Sequence, residues 1–290
     1  MTQDHHPYRS VLYLPASNTR ALAKARSLPV DAIIFDLEDA VAPEQKDGAR
    51  ETLVGALSEG GYGARRRLVR INALDTIWGE ADARAFSAGL ADAVVLPKVG
   101  GPADVDAAGG LVGDLPLWAM METAAGVLNA AGIAAHERIA GLVMGTNDLA
   151  RELNSRAVPD RAPLMTALQT CLLAARAAGV VCVDGVFNAF RDDDGLMREC
   201  VHARDMGFDG KTLIHPAQIA TANAAFSPSE SEIDLARRQI AAFEEARARG
   251  QGVAVVDGQI VENLHVDTAR ATLARAAGHG PAGKADGGTS

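Results

Sequence analysis

Carboxylates recur in this chain directly after short apolar runs. Asp36, Glu38 and Asp39 follow one such run, Glu122 follows another, and Asp148 closes the stretch Gly145-Thr-Asn-Asp after a third. A carboxylate at the edge of an apolar core is costly unless something pairs with it. A hard divalent cation does so: two carboxylates, several waters and a pair of substrate oxygens make an octahedral oxygen shell suited to Mg²⁺, with Mn²⁺ as a substitute. The chain has no His/Cys cluster at zinc spacing, so Glu122 and Asp148 are read as a magnesium pair rather than part of a zinc site. Asp148 also has a plainer reading, as the cap of the helix that follows it.

The cations near these acids can be read in two ways. Arg70 carries a planar fork that matches a substrate carboxylate, and it equally matches an ion pair with Asp36 or Glu38. Lys98 has the residue type of a Schiff-base lysine, but neighbouring carboxylates would keep it charged and unreactive, which favours an electrostatic role beside the substrate together with Asn72. Arg20 and Lys24 lie one helical turn apart, where they would meet phosphates or solvent. His215, in His-Pro-Ala-Gln, is either an acid/base or a helix cap.

Something must bring these residues together. Eight β-like runs, at residues 10–15, 31–37, 67–71, 92–97, 115–121, 139–144, 180–183 and 210–214, are separated mostly by helical stretches. Most lack polar alternation, as strands buried on both faces do. Strands alternating with helices predict a parallel sheet, and eight of them predict an α/β fold closed as a (β/α)8 TIM barrel over residues 1–228. The open doubly wound sheet is the alternative, but no Gly-x-Gly-x-x-Gly turn follows the first run. In a barrel the chemistry gathers at the C-terminal ends of the strands, where six of the runs carry their polar residues. Residues 229–277 then read as a helix, a hairpin around Asp257-Gly258 and a last helix. This extension is too small to stand alone and is expected to dock as a lid on the barrel or on a neighbouring subunit. Residues 278–290, rich in Gly and Ala, read as a disordered tail.

Composition narrows the partners. Hydrophobic residues make up 48% and charged residues 22% of the 290, and the formal net charge is −9. That charge argues against nucleic acid or an anionic membrane as a partner, while leaving room for a local basic mouth. The three cysteines, Cys171, Cys182 and Cys200, show no CxxC spacing and read as buried reduced thiols. The polar start lacks a signal-peptide core and no run is long enough to span a bilayer, so a cytoplasmic location is expected.

Taken in order, Arg9-Ser-Val-Leu-Tyr-Leu-Pro-Ala-Ser-Asn18, Asp36-Leu-Glu-Asp-Ala-Val41, Leu96-Pro-Lys-Val99, Met121-Glu-Thr123, Gly145-Thr-Asn-Asp-Leu-Ala150 and Gly207-Phe-Asp-Gly-Lys-Thr-Leu-Ile-His-Pro-Ala-Gln218 resemble the citrate lyase β-subunit-like family. These are CoA-ester lyases of the wider HpcH/HpaI aldolase/citrate lyase superfamily, which includes malyl-CoA lyases. The resemblance runs from Arg9 to about Ala277. It implies a barrel that binds Mg²⁺ through Glu122 and Asp148, an Arg70 that holds the carboxylate of an α-keto acid, and Arg20 and Lys24 at CoA. It places Glu38 and Asp39 as groups that order metal-bound water, and it implies homotrimers or hexamers.

One departure is visible. Malyl-CoA-type relatives carry Gly-x-Met-Ile-Asp in the C-terminal hairpin, and its Asp acts in a neighbouring subunit's site. Here the stretch is Gly258-Gln-Ile-Val-Glu262, one methylene longer. The resemblance implies Mg²⁺-dependent cleavage of a β-hydroxyacyl-CoA, such as malyl-, citramalyl- or citryl-CoA, to acetyl-CoA and an α-keto acid, with Glu262 as the proton donor. Hydrolysis of malyl-CoA to malate is a further outcome of the same site. The alternatives are an aldolase on free hydroxy-keto acids, a lyase subunit acting on a carrier-bound thioester, and a non-catalytic barrel that binds CoA esters.

Overall fold

The computed structural model describes residues 6–278 apart from 88 and 159; the tail expected over 278–290 lies outside them from residue 279 on. Contacts divide the chain into a unit spanning Tyr8–Phe226 and a second unit containing Ser227 onward.

In the first unit, eight strands close into a parallel barrel in sequence order. They are β1 (Ser10–Pro15), β2 (Ala32–Asp36), β3 (Arg66–Arg70), β4 (Ala93–Leu96), β5 (Leu117–Met121), β6 (Ile139–Met144), β7 (Val181–Asp184) and β8 (Gly210–Leu213). The pairing of Val11 with Thr212 shuts the ring. The intervening helices are α1 (Thr19–Ala25), α2 (Lys46–Glu59), α3 (Gly79–Phe86), α4 (Pro102–Val112), α5 (Ala124–Leu128), α6 (Ala130–Ala134), α7 (Thr146–Glu152), α8 (Met165–Ala178), α9 (Asp193–Met206) and α10 (Ile219–Phe226). The first of these is capped by Asn18, whose side chain accepts from the amide of Ala21.

Alternation along each strand separates two cores. Leu12, Ile33, Phe35, Val69, Val94 and Leu142 face outward and pack beneath the helices. Val11, Ala32, Ile34, Leu68, Val95, Trp118, Met120 and Val143 fill the barrel. Gly141 is where the indole of Trp118 lies: a β-carbon there would come within 2.5 Å of the ring. Because the period is two, the next inward residue above Ile34 is Asp36, above Leu68 is Arg70, and above Met120 is Glu122. The filled barrel therefore ends, at its C-terminal mouth, in a charged layer.

The second unit holds α11 (Glu230–Ala248), the antiparallel pair β9 (Ala254–Val256) and β10 (Gln259–Val261), and α12 (Asn263–Gly278). Ser229 begins α11 with a reciprocal capping box to Glu232. Asp257 and Gly258 both take positive φ, 52° and 77°, as a two-residue hairpin turn requires. Ala246, Ala254, Val261 and Val266 make its small core. All three cysteines are free and buried. Among the described residues no helix is long and apolar enough to cross a membrane.

Candidate active site

The charged layer opens into a cavity of about 300 Å³ lined by, among others, Tyr13, Asp36, Asp39, Arg70, Glu122 and Asp148. Register explains its first pair. Asp36 and Arg70 are direct partners on β2 and β3; Arg70 Nε and Nη2 donate to the two Asp36 oxygens at 2.7 and 2.6 Å. One edge of the guanidinium is thus already engaged. The remaining nitrogen, Nη1, lies 2.8 Å from Glu38 Oε2 and donates to Asp39 Oδ2 at 3.4 Å. The ring of Tyr13 stacks against the guanidinium, 5.1 Å from its carbon. Burial alone would disfavour the charge on Arg70, yet Asp36 outweighs it and the group stays firmly protonated.

Glu122 is buried, with only 2% of its surface exposed. Oε1 accepts the backbone N–H of Lys98 at 2.7 Å. Burial raises its carboxyl above the usual range, partly countered by that amide and the Lys98 charge. Gly145 allows the carboxylate to stand there: a β-carbon at this position would meet Glu122 Cβ at 2.3 Å and Oε2 at 2.8 Å. Glu38 is pushed up to about 7 by burial, against the pull of Arg70. Its Oε2 is a buried oxygen without a hydrogen bond, since Arg70 Nη1 is near but poorly aligned. Asp148, half-buried in the first turn of α7, pairs with the exposed Arg151 at 2.6 Å. It does not cap that helix: Gly145 holds the capping position and no side chain caps it.

Lys98 stands between these acids. Its backbone is left-handed, φ 53°, a conformation that costs a side-chain-bearing residue roughly 1–3 kcal/mol. Its ammonium lies 3.5 Å from Glu38 Oε1 and 3.8 Å from Asp148 Oδ2. Burial opposes its charge, but Glu122, Glu38 and Asp148 together hold its pKa above the ordinary value.

The predicted site residues therefore separate. Arg70, Glu38, Asp39, Lys98, Glu122 and Asp148 come together. Asn72 is turned away: its amide donates to Leu37 O and to Asp82 and accepts from Lys46 at 2.5 Å, and it lines an adjoining cavity of about 420 Å³ that Lys98 shares. Arg20 and Lys24 are exposed on α1, which leaves the mouth end of β1. Glu262 belongs to the second unit, exposed at the end of β10, with its N–H donating to His265 Nδ1. His215 is a cap, accepting from the amide of Ala217. The sequence reading missed Tyr13 and Lys46. Lys46 left a signal: a cation at the first position of α2 opposes the helix dipole, and three oxygens, Leu37 O, Glu38 O and Asn72 Oδ1, compensate it.

The oxygens of Glu122 and Asp148, which line one cavity, and the orphaned Glu38 oxygen fit a hard divalent cation. Among the described residues no group of three or more His, Cys, Asp or Glu side chains could hold a metal, so water and substrate would complete its shell.

Comparison with known proteins agrees with this architecture. The HpcH/HpaI aldolase/citrate lyase family matches residues 9–216, and the chain belongs to that family as an enzyme of the citrate lyase β/HpcH type. It is 64% identical over 276 residues, 95% of this chain and 97% of the other, to a (3S)-malyl-CoA thioesterase of Cereibacter sphaeroides. It is 37% identical over 280 residues to the citrate lyase subunit beta of Escherichia coli, covering 92% of this chain and 93% of that one. The crystal structure of CitE from Mycobacterium tuberculosis in complex with magnesium, acetoacetate and coenzyme A superposes with a TM-score of 0.81 at 32% identity, covering 94% of this chain and 99% of that one.

Proposed function

We propose that this protein hydrolyses the thioester of a short β-hydroxyacyl-CoA of the (3S)-malyl type, using Mg²⁺ held by Glu122 and Asp148. The observation that carries the choice is the 64% identity, over nearly the whole chain, to a relative named as a malyl-CoA thioesterase. The site chemistry supports it. A bound Mg²⁺ would supply Lewis-acid polarisation of acyl oxygens. Arg70 Nη1, which faces Glu38 and Asp39, is assigned to orient the acyl carboxylate in exchange for those contacts. Glu38, with a pKa near 7, is matched to accept a proton from an attacking water at neutral pH. The water oxygen bonds to the thioester carbonyl carbon, the C–S bond breaks, and the CoA sulfur leaves with the proton. Arg20 and Lys24 on α1 are assigned to the CoA phosphates. Residues 229–277 are assigned as a separate extension, with Glu262 on its hairpin.

The second reading is C–C cleavage to acetyl-CoA and an α-keto acid, favoured by the family and the citrate lyase subunit beta. It needs a proton delivered to the enolate carbon. The longer Glu262 in place of the resembled Asp makes that delivery less well aimed, because an error near 1 Å costs a large part of a positioned transfer. Hydrolysis needs no such donor.

The experiment follows both products. Malyl-, citramalyl- and citryl-CoA are incubated with enzyme and Mg²⁺ while free thiol and keto acid are measured together. Thiol without keto acid is expected for malyl-CoA. Keto acid and acetyl-CoA without free thiol would replace hydrolysis by cleavage, and full activity in EDTA would remove the metal from either.

A further inference from the structure

We propose that Lys98 is the resident counter-ion of the Glu122–Asp148 pair, a positioning residue whose ammonium competes with the divalent cation for the same carboxylates. The inference rests on the metal site proposed above. Three features of geometry support it. The ammonium lies 3.5 Å from Glu38 Oε1 and 3.8 Å from Asp148 Oδ2, the neighbourhood a cation on Asp148 would occupy. The backbone of the same residue accepts a left-handed φ of 53°, and its N–H donates to Glu122 Oε1 at 2.7 Å. One residue thus fixes Glu122 through its amide and offsets Asp148 through its side chain. Third, the side chain is 43% exposed and also lines the adjoining cavity of about 420 Å³, so the ammonium has space into which to withdraw. A buried carboxylate such as Glu122 is costly without compensation, and the Lys98 amide donates to it at 2.7 Å while its ammonium faces Asp148 at 3.8 Å before any metal binds.

Two like charges cannot share these oxygens at full strength. Metal binding must push the ammonium away, and that repulsion weakens the metal. Removing the ammonium while keeping the amide should therefore tighten metal binding, the reverse of what damage to a structural residue does. Once the ammonium has withdrawn to about 6 Å in water-like dielectric, its residual repulsion of a divalent ion corresponds to a change in Kd of roughly tenfold.

The test is Mn²⁺ binding to the purified, substrate-free protein, read from the electron paramagnetic resonance of free Mn²⁺. Wild type, Lys98→Met, Lys98→Gln, Lys98→Arg and Asp148→Asn are compared, with thermal unfolding as a check that each folds. Lys98→Met and Lys98→Gln are expected to bind Mn²⁺ about tenfold more tightly, and Lys98→Arg to stay near wild type. Equal or weaker binding in folded Lys98→Met and Lys98→Gln overturns the competition. Absent wild-type binding, or binding that Asp148→Asn leaves untouched, instead overturns the metal site itself and this inference with it. If Met and Gln both fail to fold, Lys98 is structural and the proposal falls.

Discussion

Two ion-pair clusters, one at the mouth and one buried, lie in the same barrel and have opposite characters. The first is the mouth cluster, Asp36, Glu38, Asp39, Glu122 and Asp148 around Arg70 and Lys98. The second is formed by Asp184 at the end of β7, Lys211 on β8, Glu199 on α9 and Arg161. Lys211 Nζ meets Asp184 at 2.7 Å, Glu199 at 2.7 Å and the Gly185 carbonyl at 2.6 Å, while Arg161 binds both Asp184 oxygens at 2.8 and 2.9 Å. Two acids face two bases here, and Lys211 and Asp184 are fully buried. Strain does not separate the clusters, since each contains a left-handed residue, Lys98 at 53° and Arg161 at 57°. Balance does. The second cluster is neutral and closed. The first has more acids than bases, leaves a Glu38 oxygen without a hydrogen bond and opens into a cavity. An excess of carboxylates with nowhere to go marks the cluster that awaits a ligand; a balanced one holds the wall in place.

Substitutions can break that contrast. The largest effect is expected from Glu122→Ala or Asp148→Ala: turnover with Mg²⁺ should fall at least roughly a thousandfold, with circular dichroism and Tm showing an intact fold. For Glu122→Gln, Tm should be unchanged or higher, because a buried carboxylate whose pKa burial has raised is being neutralised. A clear drop in Tm would make the mouth cluster as structural as the other. Lys211→Met should do the opposite. Leaving Asp184 and Glu199 short of a partner costs about 3–5 kcal/mol of stability, measurable by urea unfolding, while kcat/KM per folded molecule changes little.

A smaller effect concerns acid. Burial pushes Asp184 up, but Lys211 and Arg161 outweigh it and its pKa is lowered in the folded protein. Its contribution is then fully present above the unfolded carboxylate value, about 4, and is lost as pH falls through the lower folded value. Asp184→Asn should flatten the acid limb of stability in that window; an unchanged limb would show that the second cluster does not govern acid unfolding. Smallest of all, Glu262→Ala should alter malyl-CoA hydrolysis by no more than roughly threefold, whereas a positioned general acid would be worth a hundredfold or more.

Much of the fold was legible because it depends on local patterns. Continuous apolar runs between helical segments predicted eight strands, and residues 10–15 and 139–144 match β1 and β6 to the residue. Other runs overshot or slipped by a residue or two, as at residues 115–121 against Leu117–Met121 and 67–71 against Arg66–Arg70, because apolar character continues past a strand's end and a polar residue such as Arg66 can open one. The gathering of Glu122, Asp148, Arg70, Glu38, Asp39 and Lys98 at the mouth was also legible, since strand ends in a barrel share one rim. Side-chain allegiance was not. Whether Arg70 faces substrate or Asp36 depends on the register between β2 and β3, a long-range property with no local trace. Asn72 lies only two residues beyond Arg70, yet it is committed to Asp82 and Lys46. The second cluster escaped notice because Lys211 sits within a run that reads simply as strand, and Asp184, the last residue of β7, lies one residue past the run at 180–183.

The Asp36–Arg70 pair lies on strands, at matching positions of one sheet, whereas Glu38, Asp39, Lys98 and Asp148 lie beyond strand ends. The floor of the site is therefore inherited with the barrel and the rim is not. Loops can be rewritten residue by residue without disturbing the anchored guanidinium beneath them. Such a division lets a lineage exchange one acyl group, or one bond to be broken, for another while keeping the same foothold for an acid. It also indicates where an engineer should begin: at the rim, leaving Asp36 and Arg70 as they are.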